Sequence, residues 1–540
     1  MHLRVQKVSA ARTAISTWRP DGWGMVSVLA AAVPLSALFG LLWLAAKPDA
    51  AVWAHLWVYV LPQQLTTTFW LMLGVGALSA LIGTAGAWIV TFYPLKMRRF
   101  IGWALLLPLA MPTYLMAYSY GDFLDEAGAL YHLWQAVFPV SAYPDFRSLP
   151  GAVILLTLAL YPYVYISART AFVQQSAVMI EAGRTLGLSP LACFYRLGLP
   201  LARPAIIVGV ALVLMECMND IGAVEFLGVN TLTLGVYDTW VVRGNLAGAA
   251  QLALTLLAFM AFLLVLERRQ RGKSVHYQRA GRQRNLPDFQ ATPRLIWLMT
   301  IVCLLPIMLG FIVPVLLLVA HLPAAGWPRG MTQAAVNSIG LAVAAALCAA
   351  ALGLVLAFAA RYGRRAQLFV VRLAALGYAV PGTVLALGIM TALASLADAS
   401  FGLIVLGGST AALVVAYVVR FLSLSFGTLE AGFGQIAPGL DMAARSLGAD
   451  KNATLKRVHL PLLRAPLVTA LLLVFVDVMK ELPATLILRP FDFETLATQI
   501  YTFASLGQME DAALPALIIL TVGLVPVIFG IGVMERLRRR

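Results

Sequence analysis

Charge is scarce in this sequence: 12% of its 540 residues are Asp, Glu, Lys or Arg, against 61% hydrophobic, and the mean hydropathy is +0.86. Soluble globular domains carry about 25% charged residues, so one soluble domain is excluded. Cysteine is sparse too. Cys193, Cys217, Cys303 and Cys348 lie far apart with no CxxC pair, which argues against a disulfide framework or a cysteine metal centre and leaves them as small hydrophobes. The six histidines, His2, His55, His132, His276, His321 and His459, are dispersed without ligand spacing, so no metal site is assigned. No Ser/His/Asp or paired-His arrangement points to an enzyme. Gly272-Lys273-Ser274 resembles the end of a phosphate-binding loop, but Glu267 stands where that loop needs its first glycine.

What the chain has in quantity is long apolar runs. A helix crossing a bilayer needs roughly 20 mostly apolar residues, and about twelve such stretches can be marked. They are 24–46, 67–92, 101–121, 149–171, 204–227, 247–266, 295–320, 336–360, 368–395, 402–424, 465–488 and 512–534. The net charge of +15 sits in short clusters between these runs, which reads as topology rather than as a nucleic-acid face. Arg4, Lys7, Arg12 and Arg19 precede the first run, Lys96, Arg98 and Arg99 follow the second, and Arg538 to Arg540 end the chain. In an alternating topology these fall on one side, which the positive-inside rule makes cytoplasmic. Asp122, Asp238, Asp492 and Glu494 fall on the other. The basic start lacks a small-residue cleavage site after its apolar run, so it reads as an uncleaved first span. The expected fold is an all-α polytopic membrane protein of about twelve transmembrane helices in two homologous six-helix halves, with both termini cytoplasmic. The halves are 1–266 and 295–540, joined by a basic cytoplasmic linker over 267–294.

A long-period repeat supports the two halves. EAGRTLGLSPLACFYRLGLPLARP (181–204) aligns without a gap on MAARSLGADKNATLKRVHLPLLRA (442–465), at a constant offset of 261 residues. Gly187 pairs with Gly448, Leu199-Pro200 with Leu460-Pro461 and Arg203 with Arg464. The pattern predicts two short helices hinged at the glycine, the second ending before the proline. These segments resemble the EAA loop of importer permeases of the ATP-binding-cassette class. The first copy offers Glu181, Ala182, Gly187, Leu197, Leu199 and Pro200, with Gly183 in place of the second alanine. The second offers Ala443, Ala444, Gly448, Val458, Leu460 and Pro461, with Met442 where the leading glutamate belongs. By that resemblance the loops are coupling helices that dock into cytoplasmic ATPase subunits, and two loops imply two such subunits. ATP and Mg would then bind the partner and no cofactor would bind this chain. Met442 is expected to leave the second contact weaker or differently oriented.

After each loop the next span carries acids in the same register: Glu216 and Asp220, then Asp477 and Glu481, with Lys480 beside the last and Glu225 farther along the first. Four residues apart, each pair shares a helix face. A charge at bilayer depth costs about 2.5 kcal/mol or more, so these residues should face a pathway or the interface between halves. Close helix packing is expected at Gly74, Gly76, Ala80, Gly83 and Gly86 and at Ala342, Ala345, Ala350, Ala351 and Gly353. Kinks are expected at Pro112 and Pro381.

The segments 120–128, 214–240 and 478–517 are similar to the ferric iron branch of the family. That resemblance implies an inner-membrane permease of a bacterium, served by a periplasmic substrate-binding protein and moving ferric iron by alternating access. Related fused permeases carry thiamine or organophosphonates, which stay as alternatives. An ion-coupled secondary transporter is the rival from another class, although it has no need of the duplicated loop.

Overall fold

The structure, a computed structural model, describes residues 22–46, 50–125, 129–138, 143–174, 177–274, 288–323, 326–362, 371, 374, 377, 380–399 and 408–539. Among these residues the chain is helical and contains no strand. The first half runs through α1 (Gly22–Ala45), α2 (Leu61–Phe92), α3 (Arg98–Ala104), α4 (Thr113–Leu124), α5 (Leu149–Gln174), α6 (Ala177–Thr185), α7 (Leu199–Asn219), α8 (Gly222–Phe226), α9 (Leu232–Val241) and α10 (Leu246–Ser274). The second runs through α11 (Pro293–Ile307), α12 (Val313–His321), α13 (Met331–Tyr362), α14 (Gly382–Ala399), α15 (Thr410–Gln435), α16 (Pro438–Ser446), α17 (Arg464–Met479), α18 (Pro483–Leu488), α19 (Leu496–Ser505) and α20 (Met509–Arg539).

Nine helices among the described residues are long and apolar enough to cross a membrane, and two bent pairs raise the number to 11. The apolar helix Gly382–Asp398 is shorter than these. The expected run 101–121 is one bent pair, turning by 88° between Ala110 and Thr113. Pro112 stands at that turn with an extended ψ of 140°, immediately before α4. Pro381 likewise precedes α14, while most of 363–379 lies outside the described residues. Residues 267–274 of the expected linker continue α10 as helix, and 275–287 lie outside the described residues.

Two spans expected to be unbroken, 204–227 and 465–488, are interrupted. α7 stops at Asn219, Asp220 is extended (φ −77°, ψ 129°), and α8 restarts at Gly222. α17 stops at Met479, and α18 restarts at Pro483, whose missing N–H cannot continue a helical ladder. Each break places polar residues, Asn219-Asp220 and Lys480-Glu481, inside a mostly apolar run. After its break each half adds a further helix, α9 or α19. Thr231 Oγ1 accepts the Leu234 N–H, and Thr495 Oγ1 accepts the Thr498 N–H, so both helices start on a threonine cap. Thr68 on α2 and Ser338 on α13 then accept the N–H groups of Leu232 and Leu496, tying both helices to the long span of their own half.

Small residues set the closest approaches. A Cβ added at Gly83 would lie 2.8 Å from the Tyr165 backbone nitrogen, where α2 meets α5. One at Gly353 would lie 2.4 Å from Ser425 Oγ, where α13 meets α15 in the second half. The first span of each half crosses to the other half. α1 packs on α14 and α13, and a Cβ at Gly388 would fall 2.1 Å from the Ala37 carbonyl oxygen. Reciprocally, the run α11 to α12 packs on α2, α4 and α5. Its π turn Met308–Ile312 offers the Leu309 carbonyl to the Tyr120 hydroxyl at 2.5 Å. Gly388→Val should therefore lower stability by about 2 kcal/mol through overpacking, read as an earlier thermal transition of the purified protein in detergent. Gly427→Ala, at a position with no atom within 4 Å of an added Cβ, should leave that transition in place.

Candidate functional site: a charged cavity between two broken helices

The two helix breaks face one cavity of about 110 Å³ at the contact between halves. The first half supplies Pro112, Tyr114, Glu216, Asn219 and Asp220, and the second supplies Arg420, Asp477, Lys480 and Glu481. Five of the six intramembrane residues singled out by sequence are thus brought together. Glu225 is not among the lining residues; its carboxylate accepts the Tyr501 hydroxyl at 2.8 and 2.9 Å, bridging the halves beside the cavity. The shared-face argument for the acids needs correction, because Asp220 and Glu481 lie past the helix ends.

Their position gives them a structural task. Asp220 Oδ1 accepts the Ala223 N–H at 2.8 Å, and Glu481 accepts the Ala484 and Thr485 N–H groups at 3.0 and 3.1 Å. Both carboxylates satisfy backbone donors freed at a helix restart, where negative charge is also favoured by the peptide dipoles. Asn219 accepts the Gly382 N–H at 2.9 Å, a hydrogen bond that crosses between halves. Lys480 pairs with Asp477 at 2.9 Å. Arg420 stands 3.2 Å from Glu481 Oε1, with its side chain 8% exposed. Sequence reasoning passed over Arg420, although a lone arginine within the apolar run 402–424 is the type of residue that bilayer depth makes costly without a task. Among the described residues no group of three or more His, Cys, Asp or Glu is placed to hold a metal ion.

The repeated loops form a second pair of equivalent features. Gly187 and Gly448 adopt φ of +80° and +79°, the left-handed region that glycine enters without strain. The turns close identically, with the N–H groups of Leu188 and Ala449 donating to the carbonyls of Gly183 and Ala444 at 3.0 Å in both. Ser189 and Asp450 then cap the next helix through the N–H groups of Ala192 and Ala453. Leu186 and Leu447, 261 residues apart, project from the two turns at 83% and 87% exposure. The expected helix end before the proline is not found. A π turn, Phe194–Gly198, carries helix through Leu199-Pro200 into α7. The wider turn accommodates a residue that has no N–H to donate. In the second copy the π turn Leu455–His459 also passes Pro461, and the chain bends by 74° at Leu463 before α17.

The two copies are anchored differently. In the first, a Cβ at Gly198 would meet Trp88 at 2.4 Å, and the Trp88 ring packs against Phe92, Phe172 and Phe194. In the second, fully buried His459 occupies the place of Gly198, and its Nε2 lies 2.7 Å from Asp441 Oδ1. Arg361 donates from Nε to Asp441 Oδ2 at 2.8 Å and from Nη1 and Nη2 to the Phe433 and Ile436 carbonyls. Met442, in the leading motif position, is 64% exposed, while its neighbour Asp441 turns inward. Burial alone would raise the Asp441 carboxyl. The hydrogen bonds from His459 and Arg361, with the Arg361 charge, outweigh it and hold the carboxyl below the ordinary carboxylate range.

Residues 83–272 and 349–540 both match the family described as the binding-protein-dependent transport system inner membrane component. The chain belongs to this family, in two fused copies. It is a multi-pass inner-membrane permease of an ATP-binding-cassette transporter. Over 478 residues it is 25% identical to the Fe(3+)-transport system permease protein FbpB 2 of Haemophilus influenzae, a match covering 86% of this chain and 88% of that protein. Over 179 residues it is 30% identical to the putative 2-aminoethylphosphonate transport system permease protein PhnU of Salmonella choleraesuis, spanning 32% of this chain and 63% of that protein. A probable sulfate transport system permease protein, cysT of Chlorokybus atmophyticus, is 25% identical over 153 residues, 28% of this chain and 52% of its own length.

The anchor of the second loop in this permease should be acid-sensitive. Because the folded Asp441 carboxyl is depressed, its contribution is complete above the unfolded value of about 3.9 and is lost as pH falls through the lower folded value. Asp441→Asn should cost about 2 kcal/mol at neutral pH and should flatten the fall in melting temperature on acidification, as measured by thermal unfolding across pH.

Proposed function

We propose that this chain is the complete membrane unit of an ATP-driven importer that moves ferric iron, delivered by a periplasmic binding protein, through the cavity between its halves. The observation that carries the cargo is the likeness to the ferric permease, which runs through both halves and covers 86% of the chain. The cavity is compatible with it. Four carboxylates, from Glu216, Asp220, Asp477 and Glu481, line it against two cationic side chains, Arg420 and Lys480, and hard oxygen donors suit a hard cation. The phosphonate and sulfate permeases among the relatives make an oxyanion the second candidate cargo.

The loops around Gly187 and Gly448 are the contacts for two copies of a cytoplasmic ATPase, which binds ATP and Mg. Support comes from the exposed leucines, Leu186 and Leu447, presented on identical turns. Closure of the ATPase pair pushes both turns, and the rigid helices beyond them carry the motion to the breaks at Asp220 and Glu481. The arginine clusters support a cytoplasmic position for these loops and both termini.

Reconstitution of the chain with its ATPase and binding protein in liposomes tests the cargo. ATP-dependent uptake of ferric iron, with none of thiamine or a phosphonate, is the expected result; uptake of another cargo keeps the importer and discards iron, and uptake driven only by an ion gradient discards both. Gly187→Asp and Gly448→Asp test the coupling. Among the described residues no atom lies within 4 Å of an added Cβ at either position, and aspartate tolerates the left-handed region, so the fold should persist. Uptake should fall about tenfold or more while ATP hydrolysis continues. Intact uptake in both variants would remove the coupling role.

A further inference from the structure

The central cavity holds donors that lack acceptors among the described residues. Arg420 is 6% exposed and lines the cavity, yet its Nε and Nη1 have no hydrogen-bond partner among the described residues. The nearest carboxylate supplies an ion pair but meets only part of the need. Glu481 Oε1 is 3.2 Å from Nη1 but is directed to the Ala484 N–H, and Oε2 is taken by the Thr485 N–H and hydroxyl. The hydroxyl of Tyr114, which also lines the cavity, is likewise buried and has no hydrogen-bond partner among the described residues. A guanidinium stays charged at any accessible pH and carries five donors. Leaving such donors buried and unsatisfied is destabilising, because their desolvation is not offset. The fold nonetheless makes room for this one: a Cβ at Gly382 would fall 2.1 Å from Arg420 Nη1.

The repeat strengthens the point, because Arg420 has no partner in a symmetric structural scheme. Asp220 and Glu481 cap equivalent helices in the two halves without needing it, since the Asp220 cap is made with no arginine among its hydrogen-bond partners. Lys480 meanwhile is held by Asp477. Of the four cavity carboxylates, Asp220 and Glu481 are turned toward backbone donors, Asp477 is offset by Lys480 and Glu216 also lines the wall, while Arg420 with Tyr114 offers hydrogen-bond donors to the space between.

We propose that Arg420 and Tyr114 form an oxyanion subsite within the cargo cavity, which takes a phosphate-, phosphonate- or carbonate-type group. The oxygens of such a group supply the acceptors that the guanidinium lacks, in the planar two-donor geometry to which Arg is suited. The proposal rests on the reading of this cavity as the cargo site. The anion has two possible sources: it accompanies ferric iron as a ligand of the metal, or it is itself the cargo.

The test uses the reconstituted transporter with its ATPase and binding protein, doubly labelled with radioactive iron and radioactive phosphate, each also supplied alone. Loss of a charge-assisted contact should reduce uptake about tenfold or more in Arg420→Gln, with partial recovery in Arg420→Lys. Phosphate carried only together with iron, and lost with it in Arg420→Gln, supports the subsite with the anion as a metal ligand. Phosphate or methylphosphonate carried without iron supports the subsite and discards the iron reading. Iron uptake that is indifferent to the anion and to Arg420→Gln overturns the subsite and leaves the iron reading intact. Should Arg420→Gln fail to fold, the wild-type protein decides: phosphate and methylphosphonate should raise its melting temperature in detergent, and no shift with either anion overturns the proposal.

Discussion

Backbone polar groups released inside a bilayer must find partners, and in this permease that requirement falls on Asp220 and Glu481. Each sits where a spanning helix stops, and each accepts the N–H groups of the helix that restarts. Non-helical backbone at membrane depth survives only when buried in protein or lining a cavity. The two breaks do both, since they face each other across the contact between halves. The cavity, the charges around it and the cross-half bond from Gly382 to Asn219 follow from that arrangement. The exchange of first spans reinforces it. With α1 against α14 and the run α11 to α12 against α2, α4 and α5, neither half can separate without exposing its closest backbone contacts.

Duplication explains the likeness of the halves, and the departures from it mark where the copies have acquired separate tasks. The turns at Gly187 and Gly448 are nearly superposable in backbone angle. Beneath them, an aromatic cluster on Trp88 holds one loop while the Arg361, Asp441 and His459 network holds the other. The first anchor is built on aromatic packing, with Arg184 over the Phe289 ring that joins the cluster, and the second is built on an ion-pair network. The second loop also bends by 74° before its span, whereas the first continues as helix from Pro190 to Asn219. The two turns are therefore joined to the cavity along unequal paths.

Much of this was legible in the sequence because it depends on composition and register. Long apolar runs fix where helix must lie, and a constant offset of 261 residues pairs Glu216 with Asp477 and Asp220 with Glu481. What local pattern cannot show is which helix meets which, so the crossing of the first spans and the approach of Gly388 to Ala37 were out of reach. The breaks at 220 and 481 are hidden in the sequence because α8 and α18 fall within the same mostly apolar runs, 204–227 and 465–488, as the helices they follow. Glu225, expected to face a pathway or the interface between halves, is carried by the short α8 to Tyr501 of the other half. Arg420 left a signal that was missed, a single cation in an apolar run. Met442 stands exposed in the leading motif position, and the role of the neighbouring Asp441 as an internal anchor is visible only with His459 folded against it.

The central claim is that the cavity at the two breaks is the transport site and opens to one side of the membrane at a time. A single cysteine at Asn219, introduced with the four native cysteines replaced, reports on this in the reconstituted transporter through maleimide labelling from each side. The account predicts labelling from one side without nucleotide and from the opposite side when a non-hydrolysable ATP analogue closes the ATPase. Labelling that ignores nucleotide, or that proceeds from both sides at once, would contradict it.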